Sequence, residues 1–209
     1  MTRKPEGALA TVSSGDGYVD PKKVYDDWSE TYDRDLLDEY GYVAPQIAAA
    51  ALEQILPDKS ASIIDLGCGT GLAGAELRRR GYGRVDGADI SPGMLAKAKS
   101  LGVYRQLFEA DLTRRTHIPD GSYDAVFSVG AFGNGHLKAK SFPDFIRLVT
   151  IGGPLVIYVT ARPFLHEDYP RTLSEYVQAG LWEIDRVEAS NYMDALDRPG
   201  RLIVARRKR

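Results

Sequence analysis

The sequence is poor in cysteine, in histidine and in net charge, and each shortage closes a class of explanation. Cys68 is the one cysteine in 209 residues, so no internal disulfide can form. With only three histidines beside it (His117, His136 and His166), scattered along the chain, no plausible zinc cluster is left. Twenty-seven basic against 29 acidic side chains leave a formal charge of −2, which offers no general attraction to nucleic acid or to an anionic membrane. No apolar run is long enough to span a bilayer, and the first residues do not read as a signal peptide. The expectations are a cytoplasmic protein that needs no metal, membrane or nucleic acid, either a monomer or a homodimer. Internal repeats and low-complexity tracts are also missing.

What is present suits one globular domain, since 44% of the residues are hydrophobic and 27% charged. Residues 1–20 mix Thr, Ser, Gly and Pro with few large apolar side chains and read as a flexible lead-in. Residues 21–209 then read as a single domain. Tyr25, Trp28 and Tyr32 fall on one helical face among Asp26, Asp27, Glu30 and Asp33. Such a stripe is either core or, with its acidic neighbours, a lid over a cationic ligand; the helical lid would run over about 21–57. Val43–Leu56 predicts a second helix ending before Pro57.

Strands and helices then alternate. Strands are expected at Ile63–Leu66, Arg84–Asp89, Val103–Phe108, Tyr123–Val129 and Leu155–Val159. The helices between them are expected at Leu72–Arg80, Pro92–Leu101 with Ser91 as cap, and Lys138–Thr150; Arg171–Ala179 follows the fifth strand. Two late strands, Trp182–Ala189 and Leu202–Ala205, have no helix between them. The pattern predicts an α/β fold: a mostly parallel seven-stranded sheet, helices on both faces, and an antiparallel hairpin at one edge.

The informative stretch is Asp65-Leu66-Gly67-Cys68-Gly69-Thr70-Gly71. A buried strand runs into glycines that permit a tight turn, then into a helix whose first N–H groups lack intrahelical partners. Gly69-x-Gly71-x-x-Gly74 also satisfies the dinucleotide fingerprint, with Asp89 placed to hold a ribose. Asp65 favours a different ligand: a carboxylate there repels a phosphate but suits an ammonium or a sulfonium. In an open parallel sheet the ligand lies beyond the carboxyl ends of the strands, and Asp65, Asp89 and Asp111 all fall at such ends. The competing reading of Asp89 and Asp111 is as turn formers or caps, and of Met94 as core.

Asp65–Gly71, Gly87–Leu95, Glu109–Leu112 and Tyr123–Ser128 together resemble, in order, four motifs of class I S-adenosylmethionine-dependent methyltransferases. The Tyr25–Asp33 segment with Ser91-Pro92-Gly93-Met94-Leu95 is similar to the methyltransferase-like protein 27 group of the Williams–Beuren region. The resemblance implies a Rossmann-like class I methyltransferase fold. It also implies S-adenosyl-L-methionine as cofactor, S-adenosyl-L-homocysteine as its product, and transfer of a methyl group to a small-molecule O, N or S acceptor (EC 2.1.1.-). The implied cofactor bed is Asp65, Gly67, Cys68, Gly69, Gly71, Leu72, Asp89, Ile90, Met94, Asp111, Leu112 and Ser128, under a lid carrying Tyr25, Trp28 and Tyr32. Asp89 would take the ribose hydroxyls, Asp111 the adenine amino group, and Ile90 with Met94 would sandwich the ring. His136, after the fourth strand, is the candidate base or acceptor contact. The adenine-N6 motif is missing; Val129-Gly130-Ala131-Phe132 stands there instead, which argues against a nucleobase amine as acceptor. Acceptor choice is expected to involve the lid, Arg162–Pro170 and Tyr192–Asp194. The rival readings are a cofactor-holding partner protein without turnover and a nicotinamide-dependent oxidoreductase.

Overall fold

The structure, a computed structural model, describes residues 32–133, 137–166, 168–196 and 198–209. The expected lead-in, Tyr25, Trp28 and His136 therefore lie outside the described residues. A short helix α1 (Tyr32–Arg34) passes into a π-helical stretch, Asp35–Glu39, and then α2 (Ala44–Ile55) follows with Pro45 in its first turn. The alternating core comprises β1 (Ser62–Leu66), α3 (Leu72–Arg79), β2 (Arg84–Asp89), α4 (Pro92–Leu101) and β3 (Leu107–Glu109). It continues through β4 (Ala125–Phe132), α5 (Phe142–Leu148), β5 (Pro154–Thr160), α6 (Ala161–His166) and α7 (Tyr169–Gln178). β6 (Trp182–Asn191) and β7 (Pro199–Arg207) close the chain.

The seven strands lie in the order β3-β2-β1-β4-β5-β7-β6. β1 to β5 pair in parallel, and β7 runs antiparallel to both β5 and β6. The central strands read as continuous apolar runs because both faces are covered. Along β1, Ile63 packs with α2 and α3 on one face, while Ile64 and Leu66 pack with α5 and α7 on the other. The crossover from β1 out to β2–β3 and back to β4 places a reversal of strand order at β1/β4. That is where an open sheet offers a crevice.

Several boundaries differ from expectation. β3 begins at Leu107, not Val103, because Tyr104 turns away from the ladder to pack beneath the glycine loop. The helix expected over 138–150 is a 3₁₀ turn, Ala139–Ser141, leading into the shorter α5, and Val149 is already extended. α6 occupies part of the Arg162–Pro170 segment that had no expected element. The closing strands are longer than expected, since each has the other to pair with along its whole length. None of the described helices is long and apolar enough to cross a membrane.

Candidate active site

The turn after β1 is shaped by glycines in the left-handed region: Gly67, Gly69 and Gly71 have φ of 76°, 54° and 101°. At Gly67 space is limiting as well, because an added Cβ would lie 2.4 Å from that of Ala131 on β4. An added Cβ at Gly69 would meet nothing within 4 Å among the described residues, so with respect to them this part of the turn borders open space. The N–H groups of Gly67 and Cys68 donate to the Ala88 carbonyl at 2.7 and 3.0 Å. Gly69 donates to Asp89 Oδ2 at 2.9 Å, and Asp89 Oδ1 accepts from the Ser91 N–H, also at 2.9 Å. Asp89 therefore braces the turn.

Asp65 ends β1 inside the fold, with no exposed surface. Its Oδ2 accepts from the Tyr104 hydroxyl at 2.7 Å, and its Oδ1 is buried with no hydrogen-bond partner among the described residues. Burial raises its pKa to about 7; the hydrogen bond from Tyr104 opposes that shift and the nearby charge of Asp89 adds to it. Cys68 is buried too, and burial followed by the charges of Asp65 and Asp89 pushes its thiol up, so it is a filler in the turn and no thiolate nucleophile.

At the other end of the crevice, Ile90 follows Asp89 with 40% of its surface exposed, an unusual position for a large apolar side chain. Met94 is 1% exposed, so of the pair expected to sandwich a ring only Ile90 presents surface; Ser91 Oγ caps α4 by accepting from the Met94 N–H. Asp111 holds the loop after β3, accepting from the N–H and hydroxyl of Thr113 and pairing with Arg114 at 3.3 Å. Those donors, the Thr113 hydroxyl first, hold its carboxyl below the usual range. Leu112 is buried in the second apolar cluster. Ser128 is fully buried and donates to the Leu66 carbonyl at 2.7 Å, a bond that ties β4 to the end of β1.

Residues that sequence reasoning passed over complete the surroundings. Tyr42, Pro45, Thr70 and Val129 join Gly67, Gly69 and Leu72 around a cavity of about 30 Å³ beside the glycine turn. The Thr70 hydroxyl donates to Asp33, which fastens the N-terminal segment to the turn. Tyr42 forms a β-bridge with Met193 and an edge contact with Tyr192, so the expected 192–194 segment does reach this neighbourhood. No local pattern marked Tyr42, and Thr70 stood inside the glycine motif without a role assigned to it; both roles come from elements distant in sequence. Of Tyr32 only the helical backbone is described. A separate cavity of about 690 Å³ opens along the β3 edge and shares Asp111 with the expected site, its other walls including Asp86, Arg105, Phe108 and Tyr123. Among the described residues no cluster could hold a metal ion.

The fold and this turn can be compared with known proteins. A family model described as a methyltransferase domain matches residues 63–153. Methyltransferase-like protein 27 from Homo sapiens is 39% identical over 166 residues, covering 76% of this chain and 66% of that protein. The chain belongs to the class I methyltransferase family. A second methyltransferase relative is the demethylmenaquinone methyltransferase of Thermus thermophilus, 35% identical over 112 residues, or 51% of this chain and 50% of that enzyme. The chain thus spans between half and two thirds of these relatives' lengths. Among solved structures, the [4+2]-cyclase SpnF superposes with a TM-score of 0.69 at 17% identity, covering 90% of this chain and 94% of that one. The methyltransferase fold is therefore shared with a protein named for a different reaction, and function has to be argued from the site.

Proposed function

We propose that the chain binds S-adenosylmethionine in the crevice at β1 and β2 and transfers its methyl group to a small-molecule oxygen, nitrogen or sulfur acceptor. The observation that carries this reading is the fully buried, half-partnered carboxylate of Asp65 beside a glycine turn that borders open space. A buried acceptor without a donor costs about 1–3 kcal/mol, a cost natural proteins keep where a ligand supplies the partner. An ammonium supplies it; a pyrophosphate, the group a dinucleotide would place there, would be repelled.

The residues divide the work. Asp65 would receive the amino end of the ligand and Asp89 the ribose hydroxyls. Ile90 would offer an apolar surface to the base, with Asp111 and the Leu112 backbone at its edge. The cofactor, when bound, supplies an electrophilic methyl group on a positively charged sulfur whose departure leaves a neutral thioether. The protein's task is then to align the acceptor and exclude water, not to activate a nucleophile strongly. Tyr42, Pro45 and Val129 wall the turn on one side, and the Asp33–Thr70 bond holds the N-terminal segment against it. A base is needed only for an acceptor that must lose a proton, and His136 remains the candidate for that role.

A small-molecule acceptor is supported by the near balance of charge and by a relative named for demethylmenaquinone. A yeast relative is named for a guanine of 18S rRNA. The test is transfer of labelled methyl from the cofactor to panels of phenols, carboxylates, amines and thiols, with an RNA oligonucleotide alongside. Label in one small-molecule class is expected. Label in RNA alone would contradict the acceptor assignment, and cofactor binding without label anywhere would favour a partner protein.

A further inference from the structure

Tyr104 belongs to no expected motif, yet it lies against Gly71, Gly74 and Gly87 and bonds to Asp65. Its ring stands where side chains at three glycines would be. An added Cβ at Gly74 would lie 2.3 Å from its Cζ, one at Gly87 3.1 Å from its Cε1, and one at Gly71 3.2 Å from its Cε2. Gly74, which completed the dinucleotide-like spacing in the sequence, is thus small to admit Tyr104 and not a ligand. A phenylalanine ring would fill the same space. The hydroxyl does something else: it accepts from the Gly74 N–H at 3.2 Å and donates to Asp65 Oδ2 at 2.7 Å. Gly74 lies in the first turn of α3, whose N-cap Gly71 has no side chain to offer, so one of the helix's orphan donors is satisfied through the phenol.

We propose that Tyr104 is a positioning residue for the amino end of the ligand: its hydroxyl fixes Asp65 by Oδ2 so that the unpartnered Oδ1 is left to a ligand's cationic nitrogen. The proposal rests on the cofactor reading above and goes beyond it by assigning selectivity for an amino-bearing ligand to a residue outside the four motifs. Among the described residues, the groups that face Asp65 are Tyr104 from the loop after α4, Cys68 from the turn and Asp89 from the end of β2, and none of these is a cation. Asp65 is therefore ready to gain from one, and burial has raised its pKa to about 7, so an ammonium arriving beside it must displace a proton near neutral pH.

The experiment compares two probes by calorimetry on the full chain: S-adenosylhomocysteine, which carries the amino group, and 5′-methylthioadenosine, which lacks it. In the wild type, affinity for the first is expected to rise from pH 6 to pH 8 with release of a proton, and affinity for the second to stay flat. Tyr104→Phe is expected to weaken S-adenosylhomocysteine about tenfold, the loss of a charge-assisted hydrogen bond, and to leave 5′-methylthioadenosine within about twofold. Equal losses for both probes, or no loss for either, would overturn the proposal while leaving the cofactor reading in place. If Tyr104→Phe does not fold, the wild-type profiles decide: identical pH dependence for the two probes overturns it. A wild type that binds neither probe would remove the cofactor reading, and the proposal with it.

Discussion

Two carboxylates at the tips of nearby strands have opposite surroundings. Asp65 is sealed, holds a single proton donor, and has its pKa pushed up to about 7 by burial. Asp111 has 37% of its side chain exposed, two donors from Thr113 and an arginine beside it, and its pKa is lowered. The same side chain is costly inside the end of β1 and comfortable in the loop two residues past β3. Desolvation decides between them, because it acts only on the charged form and only where water is removed. The crevice thus has a dry, closely packed end at the glycine turn and a wet, adaptable end at the β3 loop.

The largest effect should come from crowding the dry end. Gly74→Ala places a methyl group against a partly buried ring packed on the core, and overpacking of this kind costs about 1–3 kcal/mol. Chemical denaturation should show the full range of that loss, and Gly74→Ala combined with Tyr104→Ala should recover part of it. An unchanged midpoint for the single variant would mean that the ring moves freely, and the contrast between the two ends would fail.

Next comes Asp65 and pH. Its folded pKa of about 7 stands above the ordinary 3.8, so the folded state holds the extra proton between those values. Its contribution to stability is therefore fully present below about pH 4 and is lost as pH rises through 7. Asp65→Asn should remove that slope, so that the variant gains on the wild type by on the order of 2 kcal/mol between pH 5 and pH 8. Parallel stability curves for the two proteins would show that Asp65 is not desolvated. Between the two ends, at the tip of β2, Asp89→Ala should weaken S-adenosylhomocysteine by about 1–3 kcal/mol through lost hydrogen bonds to a charged acceptor. Unchanged affinity in that variant would place the ribose elsewhere.

The parts that could be read from the sequence were those encoded locally. The alternation of strands and helices along the chain follows from the apolar periodicity, and the turn from glycines at positions where φ is positive. Asp89 combines a bracing role with a position suited to a ribose, so both of its readings describe real properties of the residue. Long-range packing was not legible. Tyr104 lies 39 residues after Asp65 in the chain and reaches it only because α3 and α4 flank the same strand ends. Met94 and Ser128 were drawn into the expected bed by their place in a motif, whereas the fold buries both. Ser128 shows how this happens: a polar residue in a fully covered strand needs a partner, and the nearest is the Leu66 carbonyl on the neighbouring strand, not a ligand.

The central claim is that this crevice recognises an adenosine carrying a cationic amino acid, not a dinucleotide. Thermal unfolding of the full chain with S-adenosylhomocysteine and, separately, with a nicotinamide dinucleotide tests it most directly. The account predicts stabilisation by about 2.7 kcal/mol at a hundredfold excess over the dissociation constant of the first compound, and no shift with the second. A shift with the dinucleotide and none with S-adenosylhomocysteine would contradict it.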